Sequence, residues 1–213
     1  MLGIHENIKT LSSTEIDALV YRNSIGQPSG YHVERFDQVV SHFKNGELYN
    51  VDRSWDSLPE TVAVINQYPW AIHQALIKTP AVDAALAFFN ESPHKYMYMP
   101  IVYSMADVER VLSYPDINTV GMELIANTPD SELFQDDAIA YVKNRGLFTW
   151  ANAITLSGSE RHILYGGLDD DKALFESYDA SWGALLRKGM DILQTDWPMQ
   201  LKTFRDAYFQ LDA

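Results

Sequence analysis

Short apolar runs alternate with amphipathic stretches along almost the whole chain, and six of the runs have the length of buried β-strands. Gly, Pro and Asn mark the ends of most segments, as expected for turns and helix stops. The predicted strands span residues 47–53, 73–78, 96–102, 118–125, 147–154 and 190–193.

The stretches between these strands carry apolar residues at the spacing of helices that bury one face. Two short helices are also expected before the last strand, and residues 21–31 and 155–171 are predicted to be loops because of their Gly, Pro and polar content. The longer predicted helices span residues 10–20, 32–44, 57–67, 81–90, 105–112, 131–144 and 199–211.

Regular alternation of strands and helices predicts an α/β fold with a parallel sheet and crossover helices. An open doubly wound sheet and a (β/α)8 barrel both satisfy the pattern. A complete barrel takes about 250 residues, whereas the chain has 213, so a barrel would hold about six βα units and lack two strands. No linker divides residues 1–213, which predicts a single domain, and no Gly-rich fingerprint indicates a dinucleotide site.

The composition excludes several classes of partner. A formal net charge of -13 argues against nucleic acid and against anionic membranes. The absence of cysteine excludes disulfides and thiolate metal sites. No apolar run has the length of a transmembrane helix, and the N-terminus lacks the features of a signal peptide. We therefore expect a soluble protein, cytoplasmic by default; the oligomeric state is not indicated.

Polar residues at the ends of the predicted strands are the candidates for chemistry, because active sites of parallel α/β folds lie at the carboxyl ends of strands. Carboxylates that converge there can share Mg²⁺ or Ca²⁺, and the cation with a basic side chain would neutralise a phosphate. The candidates are Asp52 with Arg53, Lys78, Glu123, Trp150 with Asn152, and Asp196.

Each candidate also has a structural interpretation. Asp52 and Asp196 can cap turns, and we expect Asp196 to fix its strand end rather than bind metal. Glu123 either faces the mouth of a barrel or pairs with Lys78 or Arg53. Trp150 is either a core residue or a substrate wall. The run Asp169–Asp171 is predicted to be a solvated loop and helix start, and histidines 32, 42, 73, 94 and 162 to be structural or exposed.

Three segments resemble strands of the glycerophosphodiester phosphodiesterase family, within the phosphatidylinositol-phospholipase-C-like phosphodiesterase superfamily. Residues 189–198, GMDILQTDWP, are similar to its last strand, G-x-D-x-I-x-T-D-x-P. Residues 146–152, GLFTWAN, resemble its penultimate strand, and residues 48–54, LYNVDRS, resemble its third. The order of the three segments also agrees, and the resemblance extends over essentially the whole chain.

The resemblance implies a (β/α)8 barrel that hydrolyses glycerophosphodiesters to an alcohol and glycerol 3-phosphate, in lipid metabolism, with a divalent cation. It assigns metal binding to Asp52 and acid–base catalysis to His5, which is similar to the family's loop histidine. The resemblance also implies a small-molecule substrate and matches Trp150 to the family's substrate-wall tryptophan. Lys78 and Glu123 are predicted to bind that substrate because they lie at strand ends.

The chain also departs from the family pattern. Ser54 stands where the family has a lysine. The H-R-G and E-x-D motifs of the first two strands are absent before Asp52, which removes one catalytic histidine and two metal ligands. An alternative function is therefore a non-catalytic or partner-completed barrel that acts as a binding module. A third is a glycosidase that uses Glu123 and Asp196 as a carboxylate pair.

Overall fold

A computed structural model describes residues 2–156 and 163–210 of the chain. The described residues form two compact units. The first comprises the described part of Met1–Glu47 together with Pro59–Gln74, and the second comprises Leu48–Leu58 with the described part of Ala75–Ala213. The prediction of a single domain over residues 1–213 stays a prediction.

The first unit contains an antiparallel hairpin that the sequence pattern did not predict. The two strands of the hairpin pair with each other. The unit also contains three α-helices, and the third of these begins one residue before the second segment of the unit does. The bounds are α1 (Ser13–Asp17), β1 (Val20–Arg22), β2 (Pro28–His32), α2 (Phe36–His42) and α3 (Leu58–Ile65).

The predicted loop 21–31 and the predicted helices 10–20 and 32–44 are therefore wrong in extent. Ser12 accepts a hydrogen bond from the Glu15 amide and Glu15 bonds back, so this capping box starts α1 at residue 13. All five residues of β2 are exposed, so the strand has no buried face to give the alternation by which strands are recognised.

The second unit contains the six predicted parallel strands and the helices that connect them. The third predicted strand, residues 96–102, is present as two short pieces. The bounds are β3 (Tyr49–Val51), β4 (Ala75–Ile77), α4 (Asp83–Glu91), β5 (Met97–Tyr98), β6 (Ile101–Val102), α5 (Met105–Leu112), β7 (Gly121–Leu124), α6 (Asp136–Lys143), β8 (Phe148–Asn152), α7 (Asp170–Phe175), α8 (Ala184–Arg187), β9 (Ile192–Gln194) and α9 (Pro198–Tyr208).

The strands pair in parallel in two groups, β3-β4-β5 and β6-β7-β8-β9. The third predicted strand is interrupted between β5 and β6. Parallel bridges between Tyr98 and Thr119 and between Pro80 and Ile101 connect the two groups of strands at this interruption. Pro100, which has no N–H to donate, lies at this break. The predicted α/β fold with a parallel sheet is confirmed, and all six strands place their carboxyl ends at the same edge.

Several predicted boundaries shift by a few residues. A 3-10 helix at Ala71–His73 occupies the predicted start of β4, and another at Glu132–Phe134 precedes α6. Part of the predicted loop 155–171, including His162, lies outside the described residues, as does the predicted end of α9 at residue 211. In the described part of the chain, no helix combines the length and apolar character needed to cross a membrane.

Asp170 ties together the ends of β8 and β9. Its carboxylate accepts hydrogen bonds from the Trp182 indole (2.9 Å), the Thr195 hydroxyl (2.7 Å) and the Asp196 amide (2.8 Å). Its own amide donates to the Ala153 carbonyl at 2.7 Å. The side chain is only 2% exposed. The prediction of a solvated run at Asp169–Asp171 is therefore wrong for Asp169 and Asp170, both of which are buried.

Replacing Asp170 by Asn is expected to destabilise the protein by about 1–3 kcal/mol, because an amide N–H₂ would face the Asp196 N–H and leave buried groups without partners. Urea denaturation measures this, with Asp171→Asn as the control, for which a change within about 0.5 kcal/mol is expected. An equal loss in both variants would contradict the role given to Asp170.

The difference between the wild type and Asp170→Asn is also expected to depend on pH. Burial raises the pKa of Asp170 above its ordinary value of 3.8, although the three hydrogen bonds act to lower it. The folded state therefore favours the protonated acid, and this contribution to stability is present below the unfolded pKa and lost as pH rises through the folded pKa. The stability gap between the two proteins should narrow as pH rises above 3.8.

Candidate active site

Polar side chains gather at the carboxyl ends of the parallel strands, and we call this region the mouth. It is defined by Asp52 after β3, Lys78 after β4, Tyr103 after β6, Glu123 in β7 and Asn152 at the end of β8. Neighbouring strand ends are held in register: the Lys78 amide donates to the Val51 carbonyl at 3.1 Å. The structure thus brings together strand ends that are far apart in sequence.

A buried ion pair lies at the centre of the mouth. Lys78 Nζ is 2.6 Å from Glu123 Oε2, with side-chain exposures of 1% and 7%. Apart from this contact with Lys78, Oε2 has no hydrogen-bond partner among the described residues. Of the two partners that the sequence offered for Glu123, the structure selects Lys78.

Trp150 and Asn152 complete the surroundings of the pair. The Lys78 ammonium lies 4.1 Å from the centroid of the Trp150 ring, in cation–π geometry. The Trp150 indole donates to Asn152 Oδ1 at 3.0 Å, and Asn152 Nδ2 donates to Glu123 Oε1 at 2.5 Å. Trp150 is 8% exposed and Asn152 is 4% exposed. The four residues form one buried network in which each side chain fixes the next.

The loop after β3 places a carboxylate and a cation next to each other at the rim. Asp52 and Arg53 are both exposed. Arg53 adopts a positive φ of 54°, which is uncommon for a residue other than glycine, and its amide donates to Asp52 Oδ1 at 2.8 Å. Ser54 is buried, and its hydroxyl finds no hydrogen-bond partner among the described residues.

Tyr103 is a rim residue that the sequence did not single out. It directly follows β6, is 60% exposed, and its amide donates to Asp107 Oδ2 at 3.0 Å. Partial burial raises the pKa of Tyr103, and the negative charges of Glu123, Asp107 and Asp52 raise it further. These effects connect Tyr103 electrostatically to residues on β3 and β7. Its position directly after a strand was the one signal available in the sequence.

The other predicted site residues lie elsewhere. His5 is exposed and belongs to the first unit, whereas the mouth belongs to the second. Its catalytic role stays a prediction. Asp196 is exposed at the end of β9, where its backbone amide, rather than its side chain, holds the strand end to Asp170.

The described residues of the mouth do not form a metal centre by themselves. Across residues 2–156 and 163–210, no three His, Asp or Glu side chains come together in a way that would hold a metal ion. Mg²⁺ takes six oxygen ligands and Ca²⁺ takes six to eight, whereas Glu123 is already engaged by Lys78 and Asn152. Asp52 alone does not make a site, so metal binding by Asp52 stays a prediction.

Comparison with a solved structure defines the class of fold. A glycerophosphoryl diester phosphodiesterase from Parabacteroides distasonis superposes with a TM-score of 0.71 at 14% identity. The match covers 95% of this chain and 65% of that one, so this chain spans about two thirds of the length of the phosphodiesterase. At this identity the likeness shows the fold, which is an incomplete (β/α)8 barrel, and the predicted fold class is confirmed.

The family follows from the sequence comparison. Residues 98–205, just over half of the chain, match the family DUF4996, described as a domain of unknown function, and the chain belongs to that family. No curated protein matches.

The buried pair gives a stability prediction. Lys78→Met is expected to cost about 3–5 kcal/mol, because it leaves the Glu123 carboxylate buried and without its counter-charge. The double variant Lys78→Met/Glu123→Gln should recover much of this loss, since neither charge remains. Urea denaturation of the wild type, both single variants and the double variant measures the coupling. Additive losses would mean that the two side chains do not depend on each other.

Proposed function

We propose that the mouth binds the phosphodiester group of a glycerophosphodiester and that the chain is part of a phosphoric diester hydrolase, releasing an alcohol and glycerol 3-phosphate. The observation that carries the proposal is the convergence of cations, carboxylates and an aromatic wall at the carboxyl ends of β3, β4, β7 and β8. The fold shared with a glycerophosphoryl diester phosphodiesterase supports it.

Arg53 is the side chain best suited to receive the phosphate. It is exposed at the end of β3, and a guanidinium binds two oxygens of a phosphate at once. Lys78 is less available, because its ammonium is buried against Glu123 and Trp150. Lys78 therefore acts by holding Glu123 in place and by adding positive charge beneath the phosphate, while Trp150 forms the wall behind it.

Tyr103 supplies a hydrogen-bond donor at the rim of the mouth. The phenol of Tyr103 is protonated at neutral pH, as any tyrosine with a pKa of about 10 is, and burial and nearby carboxylates raise its pKa further. The O–H can then donate to an oxygen of the bound diester. Such donors lower the energy of the reaction when they strengthen as negative charge develops on the phosphate oxygens.

Hydrolysis needs a base for the attacking water and an acid for the leaving alcohol. In this proposal the exposed carboxylate of Asp52, whose Oδ1 accepts a hydrogen bond from the Arg53 amide, takes one of these roles. The acid–base role that the resemblance assigns to His5 stays a prediction. A divalent cation belongs to this proposal only because the resemblance to the glycerophosphodiester phosphodiesterase family implies one.

A binding module without catalysis is the second candidate. It is favoured because no three possible metal ligands cluster within the described ranges. It is also favoured because Lys78 and Glu123 are buried and already paired with each other. A binding module would retain the phosphate contacts of Arg53 and Tyr103 but would release no product.

Release of glycerol 3-phosphate from glycerophosphocholine by the purified chain tests the proposal, with Mg²⁺ or Ca²⁺ added and with a chelator as the control. Asp52→Ala is expected to lower the rate by about 100-fold or more, because a catalytic carboxylate is lost. Asp116→Ala is the matched control, since Asp116 is exposed and precedes β7 at the end of the sheet away from the mouth.

The outcomes separate the two candidates. Calorimetric binding of glycerophosphocholine without release, weakened by Arg53→Ala, would overturn hydrolysis and support the binding module. A lack of binding would contradict both.

A further inference from the structure

An apolar cavity lies towards the amino ends of the parallel strands, apart from the mouth. Its volume is about 480 Å³. Val120, which lines the cavity, directly precedes β7, whereas Glu123 of the mouth lies within that strand. Leu76 of the lining lies in β4, and Lys78 of the mouth follows the end of β4. The cavity and the mouth are therefore successive levels along the same strands.

Aromatic and sulfur-containing residues form much of the cavity wall. Tyr49, Phe148 and Trp150 line it, together with Met97 and Met99. Aromatic rings attract one another in offset-stacked and edge-to-face arrangements, and the sulfur of methionine makes favourable contacts with ring edges. This wall is therefore better suited to an aromatic ligand than to an alkyl chain.

The lining presents no uncompensated charge. Among the described residues that line the cavity, Asp191 is the only charged one. Its carboxylate lies 2.6 Å from Lys143 Nζ and accepts a hydrogen bond from the Thr149 amide at 2.9 Å. An ionic ligand would have to leave water without gaining a counter-charge, which costs much free energy. The cavity therefore favours an uncharged ligand.

The cavity is accessible to solvent and has room for several rings. Leu48 and Phe148 of its lining are 73% and 55% exposed. A ligand that covers these two apolar side chains removes them from water, which favours binding. A cavity of about 150 Å³ with apolar walls is large enough to bind benzene. The volume of about 480 Å³ is about three times larger.

We propose that this cavity is a second ligand site, separate from the mouth, and that it binds an uncharged molecule of about three aromatic rings. Trp150 lines the cavity and also contacts the Lys78 ammonium of the mouth. A bound ligand would therefore lie against the residue that the two sites share. The proposal requires neither hydrolysis nor phosphate binding at the mouth.

Two dyes that differ by one charged group provide the test. N-phenyl-1-naphthylamine is uncharged and has three aromatic rings, and its fluorescence rises in apolar surroundings. Titration of the purified chain with this dye is expected to give saturable, one-to-one binding. 8-Anilinonaphthalene-1-sulfonate has the same rings and an added sulfonate. It is expected to bind about tenfold more weakly or less, because the lining offers its charge no partner.

Variants that fill the cavity test the location of the dye. Leu76→Trp is expected to weaken binding of the uncharged dye about tenfold or more, because the larger side chain takes up the space. Asn50→Trp is a second filling variant at an exposed lining residue, where no buried side chain is replaced. Asn127→Trp is the matched control, since Asn127 is exposed and follows β7 at the carboxyl edge of the sheet. It should leave binding unchanged.

NMR of the protein labelled with ¹³C in its methionine methyl groups gives an independent measure of location. The ring currents of the bound uncharged dye should shift the methyl signals of Met97 and Met99, which line the cavity. The methyl signal of Met199 should not move, because Met199 is 69% exposed on α9 and lies outside the lining.

Three results would overturn the proposal. The first is the absence of saturable binding of the uncharged dye. The second is binding of the sulfonate as tight as that of the uncharged dye, since the cavity would then not select against charge. The third is equal binding by Asn50→Trp and Asn127→Trp, since the dye would then lie elsewhere on the protein.

Discussion

The buried ion pair between Lys78 and Glu123 is the interaction on which the arrangement of the mouth depends. Two charges that are almost fully removed from water are tolerated only when each has the other as its partner. The pair joins the end of β4 to β7, and Asn152 and Trp150 join it to β8. Replacing either Lys78 or Glu123 by a neutral residue therefore leaves an uncompensated charge buried between the ends of β4, β7 and β8.

The central network and the apolar layer beneath it are two consequences of one architecture. Parallel strands alternate their side chains, so residues two apart share a face. On the inward face, Leu76 of β4 is followed by Lys78, and Trp150 of β8 is followed by Asn152. The apolar layer at Leu76 and Trp150 lines an apolar cavity of about 480 Å³, and the polar layer above it forms the mouth.

Much of the fold could be predicted from the sequence because most of the parallel strands are largely buried and form short apolar runs. The hairpin of β1 and β2 could not, because its residues are largely exposed and lack alternation. Pairing of Glu123 with Lys78 was one of two options in the sequence, and only the strand register decides between Lys78 and Arg53. The burial of Asp170 depends on contacts with Trp182, Thr195 and Asp196, which are distant along the chain and which no local pattern encodes. Tyr103 could have been found from its position directly after a strand.

The central claim is that the polar layer at these strand ends is one anion-binding mouth. Titration of the ¹⁵N-labelled protein with glycerophosphocholine, followed by two-dimensional NMR, tests it most directly. The account predicts that the indole N–H of Trp150 and the backbone amides of Arg53 and Tyr103 shift together with a single dissociation constant. The indole of Trp182, buried beside Asp170, should stay unchanged. Shifts confined to residues outside the mouth, or no shifts at all, would contradict the claim.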